Sequence, residues 1–596
     1  MPSSALTPRA RVRAPARGAF LARAALPAVL GSLLLTACGS TPLPPWPDRG
    51  APGSPPPVRT IPPPGRATLP AQPGTVVPAP LARAPEAART APIGRLAPQA
   101  GTLPELPFGP AVAARFPDPA ILYHTPGLQA ERRAFTTNAE IGQWLERLAQ
   151  QPAPRQTQAE LLALGPSQRG APIHALVLTQ AQGTQPQALA DSKRPTVLLV
   201  GQQHGNAPAA SEALLVVAQE LAQGLLAPLL ERINVIVVPR ANPDGAEVDT
   251  RTTRDGTDMA HDHLLLQTPE ARALARLVRD YRPAVVLESG EYPAAGAVLT
   301  EFGGLERHDA HLLYATAGNV HEFITKAARE WFHQPMEQDL QKLGLSVEWA
   351  HHPAGRPGER RMAMDGVDPD SLRNLQGLKN AVGLSVASRG EGLGRVHIQR
   401  RVHTQVNAIA SALRSTAERA ARLEQVRSFV ERETRAQACQ GKIVVQAAQT
   451  PETRDLTLLN PETGEDMVQR VNWDSSLQWR PVRQLARPCG YWLAAAAQPA
   501  VERLRLHGLQ VLRVAEAGAV LADSSPHDAA TRPQRAAIDV PAGSYYLPLN
   551  QALAPVAVAA LEADTPFGFL GAGLVTRPED ILRVMASPSL VFEELE

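Results

Sequence analysis

At 596 residues the chain exceeds what one hydrophobic core supports, so more than one globular part plus tails is expected. A formal net charge of +2 excludes the strongly basic surface that sequence-independent nucleic-acid binding requires. Only three cysteines occur, and the 58 prolines are crowded toward one end.

The N-terminus carries Arg9, Arg11, Arg13 and Arg17, then an apolar run from Ala24 to Leu35, then Thr36, Ala37 and Cys38. A basic start, a short apolar core and small residues before a break form a secretory signal, too short to span a bilayer. Leu35-Thr-Ala-Cys38 resembles the bacterial lipobox, which implies that residues 1–38 are a lipoprotein signal and that Cys38 carries the lipid. Gly39 and Ser40 after it imply the outer membrane, with the protein facing the periplasm. Residues 39–115 hold proline runs such as Pro55–Pro57 and Pro62–Pro64 and few large apolar side chains. Such a segment buries too little surface to fold and is expected to act as an extended tether.

Folded structure is expected near Phe116. Thr137-Asn-Ala-Glu140 is a capping box, followed by Ile141, Trp144, Leu145 and Leu148 at helical spacing. Ile173–Leu178, Thr196–Val200, Asn234–Val238, Ala284–Glu288 and Asn380–Val386 read as strands. Between them lie a helix over about 209–226 and another opened by Thr268 and Pro269. Alternation over residues 116–433 predicts an α/β domain with a largely parallel or mixed sheet. A long helix is expected from Val402 toward Arg432.

Several motifs then fall in order. Gly201-Gln-Gln-His204-Gly-Asn206 follows a buried strand; Pro239-Arg-Ala-Asn242-Pro-Asp-Gly245, Thr250-Arg251, Gly256-Thr-Asp258, Asp262-His-Leu-Leu-Leu266 and Arg389-Gly390 come after it. This series resembles the zinc carboxypeptidase family, the carboxypeptidase A-like metallocarboxypeptidases. The resemblance implies a mixed sheet flanked by helices, a zinc cofactor, and a peptide substrate with a free C-terminus. In that family a His-x-x-Glu pair and a later histidine hold zinc, a glutamate activates water, and arginines bind the terminal carboxylate.

Matched residue by residue, His204 occupies the first ligand position, but Ala207 stands where the glutamate belongs and Gly290 where the second histidine belongs. Ala387 takes the place of the catalytic glutamate, and Ala260 and His261 that of an asparagine–arginine pair. No catalytic residue of the family is thus intact, and one imidazole cannot hold zinc tightly. Substitute donors are conceivable: Glu212, eight residues after His204; His261; and Glu288, on the face of Gly290 but about 6–7 Å deeper in the strand. Arg251, Arg254 and His261 are the candidate substrate-binding residues; the two arginines suit a carboxylate because guanidinium pairs with it bidentately. His351 and His352 lie beside Pro353 and Gly355 and read as an unassigned loop pair.

Residues 434–596 are expected to form a smaller β-rich domain, with strands around 442–446, 456–459, 471–473, 490–493 and 509–514. Cys439 and Cys489 can bridge outside the cytoplasm, although spacing alone does not give their distance. The segment from Asn550 to Glu562 reads as an amphipathic helix, and Tyr491-Trp492 and Tyr545-Tyr546 as core aromatics.

Two functions follow from this reading. One is a lipid-anchored envelope protein with a degenerate carboxypeptidase centre and a remaining pocket for peptide ends. The other is an active zinc carboxypeptidase with relocated ligands, acting on peptides or peptidoglycan stem peptides. An amidohydrolase of the aspartoacylase group needs the glutamate missing at Ala207, so that substitution counts against it equally.

Overall fold

In the computed structural model of the protein, residues 106–151, 156–356, 358–524, 534–563, 565 and 567–595 are described. Cys38 and the chain up to residue 105 lie outside them.

Thr137 caps the helix Asn138–Gln150 reciprocally with Glu140, as the capping box predicts. The strands follow in chain order: β1 Gln158–Pro166, β2 Pro172–Thr179, β3 Thr196–Gly201, β4 Asn234–Val238, β5 Val285–Pro293, β6 Ala310–Tyr314, β7 Val347–Trp349, β8 His351–Ala354, β9 Arg361–Met364 and β10 Val382–Glu391. Eight of them form one mixed sheet in the order β1-β2-β4-β3-β5-β10-β6-β7. The central run β4-β3-β5-β10 is parallel, and the flanking pairs β2–β4 and β10–β6 are antiparallel.

Parallel strands must be covered on both faces, which explains why β3 and β4 are buried from end to end. One cover is built from the helix Pro208–Ala222 and the long helix Ile398–Ala436, whose Leu214, Leu221, Val402 and Ile409 pack with Leu199, Val237 and Leu287. On the other face the helix Pro269–Tyr281 presses Leu274, Leu277 and Val278 onto Leu198, Ile236 and Val286.

Further sheets lie C-terminally. β11 Lys442–Leu459 and β12 Asp466–Ala486 form a long hairpin that joins β9 and β8 in a four-stranded sheet. The short strands expected near 442–446 and 456–459 are thus two ends of β11, and that near 471–473 lies inside β12. β13 Gly490–Leu493, β14 Leu512–Val514, β15 Gly518–Ser524, β16 Arg535–Val540, β17 Tyr545–Pro548, β18 Ile581–Val584 and β19 Phe592–Glu594 build a seven-stranded sheet. Cys439 and Cys489 are joined by a disulfide.

Three readings of the sequence are corrected. The helix Ala554–Leu561 is buried nearly all round instead of amphipathic, because Val556, Ala557, Ala560 and Leu561 pack into a core shared with Leu264, Leu375 and Leu378. His351 and His352 lie in strand β8, paired with β9, and not in a loop. Order also begins before Phe116: Phe108 and Val112 are buried against Leu305 and Leu459.

Candidate active-site cavity

β3, β5 and β10 end side by side, and a cavity of about 590 Å³ opens at their carboxyl ends. This is where an open α/β sheet places its ligands. His204, Gly290 and Ala387 all line it. Gly290 is paired in register with Ala387, and Ala387 with His311 on the next strand. The family positions singled out in the sequence are therefore neighbours in space.

Their side chains do not rebuild the family's metal site. A Cβ placed on Gly290 would meet nothing within 4 Å, so the strand geometry leaves room for a side chain that the sequence does not supply. Ala207 is buried at the start of the helix Pro208–Ala222 and offers no donor atom. His204 turns its Nε2 toward Asp258 Oδ1 at 3.0 Å.

The proposed substitutes do not converge on His204 either. Glu212 is wholly buried inside its helix, where its carboxylate accepts from Thr125 and from the backbone and hydroxyl of Thr136. Helical continuation from Pro208 carries it away from the loop. His261 is held by Asp370 at 3.0 Å, and Glu288 accepts from Gln203 at 3.0 Å. Glu291 points to the opposite face of β5, as strand alternation requires, and is closed by Arg401 and by the backbone N–H of Ala209.

The cavity is a network of opposed charges. Burial alone would raise the Asp258 carboxyl, but the His204 bond and the Arg251 and His261 charges hold it well below its usual range. The Asp370 bond pushes His261 up to about 8, so it is a cation at neutral pH. Burial raises the Glu288 carboxyl against the pull of Arg373 and Gln203. Burial and the neighbouring Asp370 push Asp368 up to about 6. Asp365 falls to about 2, because His352 and Arg373 outweigh its burial.

Of the two arginines expected to bind substrate, Arg251 lines the cavity, 3.0 Å from Asp258 and 3.7 Å from Glu391. Arg254 is exposed and is not among the lining residues. Sequence reasoning missed Arg373, whose Nε is buried without a hydrogen-bond partner in the cavity wall. No motif marks it; the short helix Leu372–Leu378 brings it there.

Metal-type donors gather behind this wall, and one of them, His311, lines the cavity. Among the described residues, Glu306, His308 and His311 form the set of three His, Cys, Asp or Glu donors whose ligand atoms lie within 4.8 Å of one another. The signal was present in the sequence as Glu306-Arg-His308-Asp-Ala-His311, three donors within six residues.

Carboxypeptidases are among the known proteins to which this chain is similar. The zinc carboxypeptidase family model matches residues 141–264. Carboxypeptidase 2 of Trichophyton rubrum is 25% identical over 405 residues, covering 64% of this chain and 74% of that protein. Carboxypeptidase D of Mus musculus is 35% identical over 123 residues, 18% of this chain and 9% of that one. Among solved structures, a metallo-carboxypeptidase from Burkholderia cenocepacia aligns at TM-score 0.34 and 15% identity, over 47% of this chain and 68% of that one. Its counterpart from Pseudomonas aeruginosa, in complex with (2-guanidinoethylmercapto)succinic acid, aligns at TM-score 0.34 and 17% identity, over 48% and 69%. The ordered motifs, the matched segment and the mixed sheet that carries them give one conclusion: the chain has the fold of the zinc carboxypeptidase family.

Proposed function

We propose that this is a lipid-anchored envelope protein that binds the free carboxyl end of a peptide in the inherited cavity and has lost the zinc centre at the family's position. One observation carries the reading. Gly290 and Ala387 sit in register in the lining of the cavity, with open space over Gly290, while His204 is committed to Asp258. A single engaged imidazole cannot replace three converging donors.

The cavity keeps what recognition of a carboxylate needs. His261 is cationic, Arg251 reaches the same space, and Arg373 holds an unsatisfied buried N–H there. Glu288, Asp365, Asp368, Asp370 and Glu391 line it as well. That acidic lining favours an end bearing a cationic group beside its carboxylate, such as a peptidoglycan stem peptide. A signal with a lipobox and the Cys439–Cys489 disulfide support export to an oxidising compartment.

Isothermal titration with peptides that differ only in a free or amidated C-terminus tests the reading. Binding of the free acid, weakened at least tenfold by amidation and by His261→Ala or Arg251→Ala, is expected. Zinc-dependent release of a C-terminal residue, abolished by His204→Ala, would overturn it.

A further inference from the structure

We propose that Glu306, His308 and His311 bind a zinc ion beside this cavity, with His311 reaching its wall, two strands away from the family's site. Two imidazoles and one carboxylate are the donor types zinc takes, and three protein ligands leave one position open. They come from the segment that enters β6, an antiparallel neighbour of β10, so the centre stays at the same edge of the sheet. His311 itself lines the cavity, directly across from Ala387 in the register.

Unpaired atoms are the first reason. Glu306 Oε2, His308 Nδ1 and His311 Nε2 are all buried without a hydrogen-bond partner, and so is Nε2 of the adjacent His351. Buried polar atoms in folded proteins are nearly always paired, so a cluster of orphaned ones calls for a common partner. Distances are the second. Glu306 Oε2 lies 3.8 Å from His311 Nε2, and Glu306 Oε1 lies 3.2 Å from His351 Nε2. Tetrahedral zinc with arms of about 2.0–2.2 Å separates its ligands by roughly 3.3–3.6 Å.

The surroundings are built to hold these groups. Trp349 carbonyl accepts from His351 Nδ1 at 2.7 Å, which turns its Nε2 toward Glu306 Oε1. Tyr292 stacks on the His311 ring at 3.6 Å between centroids, and its hydroxyl donates to the His308 carbonyl. Arg389 Nε donates to the Glu306 carbonyl at 2.7 Å, fixing the backbone beneath the donor. Trp473, from β12, tilts against His351, so the C-terminal hairpin closes one side. A simple ion pair between His351 and Glu306 would occupy one carboxylate oxygen and leave the other three atoms unpaired.

The test uses the full-length chain in detergent, stripped with chelator and titrated with zinc chloride against a chromophoric competitor. One equivalent should bind, and Glu306→Gln, His308→Ala and His311→Ala should each weaken it more than about 100-fold, beyond the 10–100-fold typical of supporting residues such as His351. Thermal melts establish that each variant is folded. Anomalous diffraction from zinc-loaded crystals of the unaltered protein gives a reading that needs no variant: the peak should lie between Glu306, His308 and His311. A peak at His204, no peak at all, or zinc binding that survives Glu306→Gln and His311→Ala and is lost with His204→Ala would overturn the proposal.

Discussion

Arg401 grips Glu291 with two parallel hydrogen bonds, Nε to Oε1 at 2.7 Å and Nη2 to Oε2 at 2.9 Å, tying β5 to the long helix out of contact with solvent. A third donor, the N–H of Ala209, completes the carboxylate. Glu291 is thereby a structural anchor for the strand that carries Gly290, not a base. Glu291→Ala or Arg401→Ala is expected to cost about 3–5 kcal/mol, because the partner is left charged and buried. Urea denaturation measures it, and a loss below 1 kcal/mol would remove this role.

On the proposed reading of the cavity as a carboxylate site, His261 makes binding depend on pH. Its value of about 8 lies above the ordinary 6.5, so the cation is complete below about pH 6.5 and is lost as pH rises through 8. Affinity for a free carboxylate should fall between pH 7 and 9 in the unaltered protein and stay flat in His261→Gln. Titration calorimetry at several pH values reads this directly.

Space over Gly290 leaves room to build the family's metal site into this cavity. Gly290→His alone should change stability by less than about 0.5 kcal/mol, since nothing lies within 4 Å of its Cβ. Combined with Ala207→Glu it should add one equivalent of zinc to whatever the parent binds, and that increment should vanish with His204→Ala. Elemental analysis after dialysis decides between the two.

The disulfide closes a 50-residue loop that contains the β11–β12 hairpin. Chain-entropy reasoning assigns such a cross-link about 4 kcal/mol. The double substitution Cys439→Ala and Cys489→Ala should lower the unfolding free energy by 2–4 kcal/mol on that scale. Equal denaturation midpoints with and without reductant would show that the bond contributes nothing.

On the proposed lipid anchor, which the resemblance of Leu35–Cys38 to a lipobox supports, Cys38→Ala should release the protein from membranes. Fractionation of cells carrying each form tests the anchor separately from everything in the cavity.

Local sequence determined a good deal. The Thr137–Glu140 capping box, the Thr268 cap and the run Asn234–Val238 specify their elements through short-range hydrogen bonds and unbroken apolar character, which neighbouring residues alone decide. The motif series around His204 likewise pointed to the family and to the substitutions at Ala207, Gly290 and Ala387. What the sequence left open depended on contacts between distant segments. Whether Glu212 faces the cavity or the core was set by the helix that begins at Pro208, and its partners Thr125 and Thr136 lie far upstream. Arg373 reached the cavity, and His351 reached Glu306, only because β5, β10 and β6 lie side by side while β8 pairs with β9 nearby. Spacing shows which donors sit close along the chain; their convergence on one point is decided by sheet order, register and burial.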